Sequence, residues 1–317
     1  MPKCSEPYRR CERSGLCKGK IFDGDLAKAR TVSTLGLGAL LKSIFSVSIL
    51  LLSGAAIAAG QSGAPVIDPV KGVQNNASFI QGQPVAPGTF VAIFGSNFAT
   101  SPALFDTIPL SNSLAGASVT FNNISAPIVY ASSGQINAIV PWELPQTGGA
   151  QVVVTTAKGS SAPLTVSLTS AAPGLFDIVT DSTGVERPSA YNNSDGTLPM
   201  PVNVVPFPGV YKSRPAKIGV DAVILFCAGL GPVNNPPNDG SPGLGQPPYS
   251  LTQVTPTVLA GGVPAQVIFS GLSPQYPPFY QIAIILQPGT PTGDAVSLQI
   301  QMNGITTTDQ LKIAVTQ

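Results

Sequence analysis

Short apolar and β-branched runs recur along the chain from about residue 66 onward, and many alternate apolar with polar positions. Gly, Pro, Asn and Ser bound these runs, which is typical of β-strands joined by turns. None is flanked by the 3.6-residue apolar spacing of an amphipathic helix. The pattern therefore predicts an all-β protein made of antiparallel β-sandwiches. The predicted strands are Thr89–Phe94, Ala117–Phe121, Gln151–Thr156, Leu164–Leu168, Ala222–Phe226, Ala265–Phe269, Gln281–Leu286, Val296–Met302 and Leu311–Val315.

Three blocks of sequence occur twice in the same order, and their separation grows from 132 to 139 to 146 residues. Such an ordered recurrence indicates an internal repeat with loop insertions in the second copy. We therefore expect two tandem immunoglobulin-like sandwiches, over residues 66–172 and 177–317, joined at Ala171–Phe176. The paired blocks are Val91–Phe98 with Val223–Leu230, Ile124–Tyr130 with Val263–Phe269, and Gln135–Val140 with Gln281–Leu286.

The first 59 residues differ in composition from the rest of the chain. Residues 1–42 carry nine Lys and Arg against four Asp and Glu, and an apolar run with small residues at its end follows at 43–59. This order is typical of a secretory signal peptide, so we expect export to the cell surface or the extracellular space. The alternative is an uncleaved segment that anchors the protein in a membrane through residues 43–59.

Three of the four cysteines, Cys4, Cys11 and Cys17, lie in this leader, and their spacing matches no zinc motif. After cleavage only Cys227 would remain, so no intramolecular disulfide is expected. Its neighbours in Val223–Ala228 are apolar, which predicts a small buried hydrophobic residue rather than a nucleophile.

The composition excludes several kinds of chemistry. The 317 residues contain no histidine, so Ser-His-Asp catalysis, Cys-His catalysis and histidine metal ligands are all absent. Charged residues make up 10% of the chain, and the net charge of +1 provides no footprint for nucleic acid. Eleven acids remain after the leader, and nothing in the sequence pairs any two of them as a hydrolase would require. We therefore expect no enzyme activity, cofactor or metal site.

Pro141-Trp142-Glu143 holds the single tryptophan of the chain. An exposed tryptophan beside a carboxylate could stack on a sugar ring or anchor a protein partner. Alternatively, Trp142 packs under the edge of a sandwich. A second polar motif, Asn192–Gly196, suggests a calcium loop, but its first position would fall on Tyr191, which carries no carboxylate. A hairpin turn is therefore predicted there.

Two insertions fall in the second half of the chain: a long loop at Pro232–Tyr249 and an aromatic-rich segment at Tyr276–Tyr280. Loops at the ends of β-sandwiches commonly carry binding residues, so these segments are candidates for a binding surface. They could equally be rigid connectors whose aromatic residues pack against proline. Together with the tryptophan motif, they give the candidate binding residues Trp142, Glu143, Tyr249, Tyr276, Phe279 and Tyr280.

Several motifs of residues 70–317 resemble the uncharacterised Solibacter-type C-terminal domain family, and they follow that family's order. This resemblance implies an exported protein built of immunoglobulin-like units similar to IPT/TIG domains, and it assigns no catalytic residue. The motifs are Ala126–Asn137, Val140–Leu144, Ala172–Phe176, Asn192–Leu198, Ala228–Pro232 and Gly262–Ala265.

These observations favour a non-enzymatic interaction or adhesion module outside the cell, with a polysaccharide or a surface protein as its partner. One alternative is a structural spacer or assembly domain of the cell envelope. A weaker alternative is a secreted carbohydrate-active protein.

Overall fold

The computed structural model describes residues 63–181, 183–205, 211–274, 276–277, 279–307 and 311–317. The regular secondary structure of these residues is β-strand throughout, as the sequence predicts. Among them, no helix has the length and apolar character to cross a membrane. The leader, the signal segment and the three leader cysteines lie outside the described residues.

The first half of the chain forms two sheets. One has the order β1-β3-β9-β8-β4, with β2 also paired to β3, and the other has the order β11-β10-β6-β5, with β12 paired to β10 and β7 to β6. The strands are β1 (Val66–Ile67), β2 (Val73–Asn75), β3 (Phe90–Ser96), β4 (Ala103–Leu104), β5 (Ser113–Leu114), β6 (Ala117–Phe121), β7 (Ile124–Ser125), β8 (Ile128–Ala131), β9 (Gln135–Ile139), β10 (Gly148–Thr156), β11 (Gly159–Ser160) and β12 (Leu164–Leu168).

The second half forms two further sheets and a separate hairpin. The sheets have the orders β13-β18-β22-β21, with β16 on β18, and β17-β25-β23-β19-β20, with β24 on β23, while β14 pairs with β15. The strands are β13 (Gly174–Leu175), β14 (Asp177–Thr180), β15 (Glu186–Pro188), β16 (Ala190–Asn192), β17 (Ala216–Lys217), β18 (Ala222–Ala228), β19 (Thr257–Ala260), β20 (Val263–Pro264), β21 (Gln266–Leu272), β22 (Tyr280–Ile285), β23 (Gly293–Met302), β24 (Ile305–Thr306) and β25 (Lys312–Thr316).

All nine strands predicted from the apolar pattern are present, most of them with ends shifted by a few residues. The ladders are antiparallel except for the short parallel pairing of β17 with β25. Strand β13 at Gly174–Leu175, just before residue 177, pairs with β18. Strands of two or three residues were not predicted, because so few positions cannot show a period of two.

The blocks that recur in the sequence occupy matching places in the two halves. Strands β3, β9 and β8 are neighbours in that order in the first half, and β18, β22 and β21 are neighbours in the same order in the second. A register shift interrupts the β8–β9 ladder between Ile128 and Tyr130, and another interrupts the β21–β22 ladder between Val267 and Phe269. The order of these three strands and the position of the register shift are therefore the same in the two halves.

Each pair of sheets encloses an apolar core, and a third apolar cluster joins the two halves. Strand β18 shows how: Val223, Leu225 and Cys227 point into the core of the second half, while Ile224 and Phe226 belong to the joining cluster. Residues that are apolar at every position suit a strand buried on both faces. The unbroken apolar run of β18 is therefore explained by contact with the other half.

Four phenylalanines form the centre of this joining cluster, which we call the aromatic seam (Phe90, Phe176, Phe226 and Phe279). Phe279 lies in the middle, with ring centroids 5.0 Å from Phe176, 5.9 Å from Phe90 and 6.4 Å from Phe226. Its contacts with Phe176, Phe90 and Phe226 are all edge-to-face, the arrangement that aromatic pairs prefer. The seam connects a strand of the first half with three segments of the second.

Cys227 is 0% exposed, as predicted for a small buried hydrophobic residue. Burial raises the pKa of its thiol far above the usual range, which favours the neutral thiol over the thiolate that nucleophilic chemistry requires.

A buried ion pair fixes the β14–β15 hairpin to the rest of the second half. Arg187 donates from Nε and Nη2 to Oδ2 of Asp181, at 2.8 and 2.6 Å, and both side chains are 1% exposed. Its Nη1 donates to the backbone carbonyls of Asp294 on β23 and Lys312 on β25. One guanidinium group therefore holds three segments together.

Candidate binding cleft at the junction of the two halves

Trp142 lies just beyond the end of β9, in the segment that leads to β10. The backbone of Val140 forms hydrogen bonds with Gly88 and Thr89, at 2.8 and 2.9 Å, which places Gly88 directly against the indole ring. A Cβ atom at position 88 would lie 2.0 Å from Cη2 of Trp142, and the φ of Gly88 is 75°. Only glycine fits there, so the ring rests on the bare backbone.

The long loop at 232–249 reaches this tryptophan from the second half. The carbonyl of Gly240 accepts a hydrogen bond from the N–H of Leu110 in the first half, at 2.9 Å. The N–H of Gly243 donates to the carbonyl of Ser273 in the second half, also at 2.9 Å. The loop is thus tied to both halves and crosses the junction between them.

These segments surround a small, mainly apolar cleft, which we call the seam cleft. It opens beside the aromatic seam, and Phe279 belongs to both. Its lining residues are Gly88, Ile139, Trp142, Gly240, Ser241, Gly243, Leu272, Tyr276, Pro277 and Phe279.

Two carboxylates, one from each half, are chain neighbours of residues that line the seam cleft. Asp239 precedes Gly240, and Glu143 follows Trp142. Partial burial raises the pKa of Asp239 to about 6; the negative charge of Glu143 adds to this, and a backbone hydrogen bond from Trp142 partly opposes it. Oδ1 of Asp239 is inaccessible to solvent and accepts no hydrogen bond from any described residue. The negative charges of Glu143 and Asp239 therefore act on each other across the two halves.

Two of the six candidate residues, Trp142 and Tyr276, line this cleft and are half-buried, and a third, the exposed Glu143, directly follows Trp142. Phe279 and Tyr280 are not surface residues. Phe279 is 1% exposed and forms the floor of the cleft, and Tyr280 is 0% exposed and donates from its hydroxyl to the carbonyl of Gly231. Phe279 and Tyr280 therefore contribute to packing, Phe279 in the aromatic seam and Tyr280 in the core of the second half.

The remaining candidate, Tyr249, lies away from the cleft and packs edge-to-face on Phe269, with ring centroids 6.5 Å apart. The Asn192–Gly196 segment forms the predicted turn, closed by a hydrogen bond from the N–H of Gly196 to the carbonyl of Asn192. The carboxylate of Asp195 in this turn pairs with Arg214 at 2.6 Å, which leaves it engaged in an ion pair.

Sequence reasoning missed Asp239. Asp239-Gly240 reads as an ordinary turn dipeptide, and the chain separates Asp239 from Glu143 by 96 residues. Only the packing of the two halves brings them together. Within the described part of the chain, no three acids or cysteines are grouped in a way that could hold a metal ion. The site can therefore offer two partly exposed aromatic rings and two carboxylates to a partner.

Asp239→Asn is expected to stabilise the protein at neutral pH by on the order of 1 kcal/mol, a value reduced for partial solvent exposure. The folded pKa of about 6 lies above the ordinary value of 3.8, so the folded state holds this proton more tightly. The stability of the wild type therefore falls as the pH rises from about 4 to 6, and the asparagine variant avoids that loss.

Thermal unfolding at pH 7 and pH 4 measures this effect. The variant should melt at a higher temperature at pH 7 and at the wild-type temperature at pH 4. Asp294→Asn, an exposed carboxylate on β23, is the matched control and should show no difference at either pH. A lower melting temperature for Asp239→Asn at pH 7 would contradict the proposed electrostatic cost.

Comparison with known protein families gives one match: the family model of the IPT/TIG domain matches residues 78–168, in the first half of the chain. This span runs from the end of β2 to the end of β12 and contains Trp142 and Glu143. No curated protein sequence is significantly similar to this chain.

Two solved structures show distant likeness. One is the gamma-CGTase from alkalophilic Bacillus clarkii, with 15% identity, a TM-score of 0.23, and coverage of 77% of this chain and 24% of the enzyme. The other is SGBP-B of the Bacteroides ovatus mixed-linkage glucan utilization locus, solved with a mixed-linkage heptasaccharide. It has 12% identity, a TM-score of 0.27, and coverage of 74% of this chain and 42% of SGBP-B. This chain thus spans less than half the length of either protein, and likeness at this level carries no functional argument.

Proposed function

We propose that this protein is a non-enzymatic interaction module of the cell surface or extracellular space, and that it binds its partner at the seam cleft. The observation that carries the proposal is the cleft in which Trp142 of the first half meets Tyr276 and the loop at 232–249 of the second, with Glu143 and Asp239 next to its lining residues. Binding sites favour such junctions, where a few polar groups converge on an apolar surface.

The support beneath the site favours binding with little rearrangement. Phe279 of the aromatic seam lines the cleft, and the loop at 232–249 is hydrogen-bonded to both halves. A site held on packed strands loses little conformational freedom when a partner arrives. The IPT/TIG domain at residues 78–168 is consistent with such a role.

The finer points of the proposal come from the sequence. We propose that the leader exports the chain, that residues 66–172 and 177–317 are tandem copies of one unit, and that the chain is related to the Solibacter-type family. The partner is then a polysaccharide or a protein of the surface where the module resides.

A structural spacer is the second candidate function, and the aromatic seam itself favours it. Apolar packing between the halves suits a rigid rod that separates other domains. A spacer requires the aromatic seam, but it does not require two carboxylates beside a partly exposed tryptophan.

Screening the protein against immobilised polysaccharides and surface-protein extracts separates these functions. The wild type should bind at least one of them, and Trp142→Ala should weaken that binding at least about tenfold, because a central tryptophan is a typical hot spot. Tyr249→Ala, a half-buried aromatic outside the cleft, is the matched control and should bind like the wild type. Circular dichroism verifies that both variants are folded.

Absence of binding to every polysaccharide and extract would leave the spacer as the function. Release of new reducing ends from a polysaccharide, lost in Glu143→Gln, would instead support the carbohydrate-active alternative.

A further inference from the structure

We propose that the outer sheet of the first half is a second binding surface, and that its ligand is an uncharged polysaccharide. The surface is the side of the β11-β10-β6-β5 sheet, with β7 and β12, that faces away from the core of the first half. We call it the hydroxyl face, after the side chains it presents. It includes no residue that lines the seam cleft, so the inference goes beyond the proposed function.

Hydroxyl side chains lie in rows across this face. Cross-strand partners in a sheet present their side chains on the same side, with about 4.8 Å between neighbouring strands. One row crosses four strands and consists of Ser160, Thr155, Ser118 and Ser113. The next row consists of Val153, Thr120 and Ser125. Both rows are exposed or partly exposed, so an extended partner lying across the strands meets a hydroxyl at nearly every strand.

The strands of this face carry no charged residue. Of the 70 residues from 107 to 176, which include all of these strands, only Glu143 and Lys158 are charged. Glu143 is next to Trp142, and Lys158 lies in the turn between β10 and β11. About a quarter of the residues of an ordinary soluble domain are charged. A charged polymer finds no opposite charge on these strands, so the partner is expected to be uncharged.

The chemistry of the side chains selects the kind of uncharged partner. A hydroxyl or a primary amide both donates and accepts hydrogen bonds, whereas a carboxylate only accepts them and an ammonium only donates them. The hydroxyl groups of a sugar have the same double capacity, and several of them recur on each unit of a neutral polysaccharide. Each single contact is weak, but a repeating chain can form many of them on one surface. A polymer is therefore favoured over a single sugar.

The side chains of the face are partly fixed before a partner arrives. Oγ1 of Thr155 lies 2.9 Å from Oγ of Ser160, and Nε2 of Gln151 donates to Oγ1 of Thr165 at 2.8 Å. Threonine is also branched at Cβ, which restricts its side chain to few rotamers. Binding at this face therefore costs less side-chain entropy than binding through long, flexible side chains.

A related surface recurs on the outer sheet of the second half. There Gln301 lies between Thr257 and Thr306 in one row, and all three side chains are exposed. In β19, β23 and β24, Asp294 is the one charged residue, and Lys312 of β25 borders the surface. The same chemistry on both outer sheets favours a functional surface, and the first half has the version without charge.

Affinity electrophoresis of the full chain measures this binding. The protein is run in native gels that each contain one polysaccharide. The neutral polymers are glucomannan, xyloglucan and dextran, and the acidic ones are polygalacturonate and alginate. At least one neutral polymer should retard the wild type increasingly with its concentration. The acidic polymers should not, because the strands of the face carry no cation to pair with them.

Removing hydroxyl groups from the face should weaken the binding. The triple variant Thr120→Val/Thr155→Val/Thr165→Val takes away three hydroxyls and keeps the size and the β-branching of each side chain. Its affinity for the neutral polymer should fall at least about tenfold, because three hydrogen-bonding groups are lost together. Circular dichroism verifies that the variant is folded.

Two comparisons separate this effect from a general change of the surface. Thr100→Val/Thr107→Val/Thr292→Val removes three exposed hydroxyls from loops outside the face and should bind like the wild type. Gln151→Glu adds a charge to the face with almost no change of shape and should also weaken the binding. Gln81→Glu adds the same charge to an exposed loop and should not.

The inference is wrong if no neutral polymer retards the wild type, if acidic polymers retard it equally, or if the triple variant and Gln151→Glu both bind like their controls. It is also wrong if the wild type sediments as a dimer that Gln151→Glu dissociates, since the face would then be a contact between two copies.

Trp142→Ala distinguishes this inference from the proposed function, because it alters the seam cleft and leaves the hydroxyl face intact. Retardation by the neutral polymer should be unchanged in this variant. Loss of retardation in Trp142→Ala, with retention in the triple variant, would support the seam cleft as the binding site and overturn the inference. Loss in the triple variant alone would support the hydroxyl face, even where no partner binds in a Trp142-dependent way.

Discussion

Replacing Arg187 with methionine is expected to destabilise the protein by about 3–5 kcal/mol, the range found when one partner of a buried ion pair is removed. The variant leaves the carboxylate of Asp181 buried without its cation and frees the backbone carbonyls of Asp294 and Lys312. The β14–β15 hairpin would lose its attachment to β23 and β25. Urea unfolding followed by circular dichroism measures the free energy of unfolding.

The double variant Arg187→Met/Asp181→Asn is the control, because it removes both charges and should lose less stability than Arg187→Met alone. Acid provides a second check. Burial would raise the pKa of Asp181, but hydrogen bonds from Thr183, Arg187 and the N–H of Val185 hold it well below its ordinary value of 3.8. The stability that Asp181 contributes is thus complete above pH 3.8 and falls as the pH drops below it. A loss under 1 kcal/mol at pH 7 would show that the pair is dispensable.

Phe279→Ala is expected to lower the free energy of unfolding by about 3–5 kcal/mol, as is usual for truncation of a buried phenylalanine. Phe279 contacts the other three rings of the aromatic seam, so its loss opens a cavity between the halves. It also forms the floor of the seam cleft. We therefore expect altered Trp142 fluorescence in the folded variant, in addition to the loss of stability.

Phe121→Ala is the matched control, since Phe121 is equally buried but lies in the core of the first half. It should destabilise the protein by a similar amount and leave the fluorescence of folded Trp142 unchanged. Phe279→Leu, which retains much of the volume, should lose less stability than Phe279→Ala. An unaltered Trp142 spectrum in Phe279→Ala would contradict the role of Phe279 in shaping the cleft.

The strand pattern of the fold was accessible from sequence because alternation of apolar and polar residues reports directly on a half-buried strand. This alternation predicted β6 and β12 correctly, with the same first and last residues as in the structure. It failed for the β14–β15 hairpin, where Asp181 and Arg187 are charged yet buried. No apolar period marks a segment that is held by an ion pair.

The candidate site was only partly accessible. A lone tryptophan beside a carboxylate drew attention to Trp142 and Glu143, and the proline-rich insertion drew attention to the loop that holds Asp239. The pairing of Glu143 with Asp239 depends on packing between the halves, which no local pattern encodes. Because of the same packing, Phe279, a candidate binding residue from the sequence, is buried.

The double-sided burial of β18 has a consequence for how this sequence can vary. In an ordinary sandwich strand, every second residue faces water and can drift without effect. Every residue from Val223 to Ala228 is buried, because alternate residues pack into the core of the second half and into the joining cluster. None of these positions faces water and can change without effect. A substitution in this strand must be compensated by the residues it contacts, either in the core of the second half or in the joining cluster. We therefore expect the sequences of the two halves to change together.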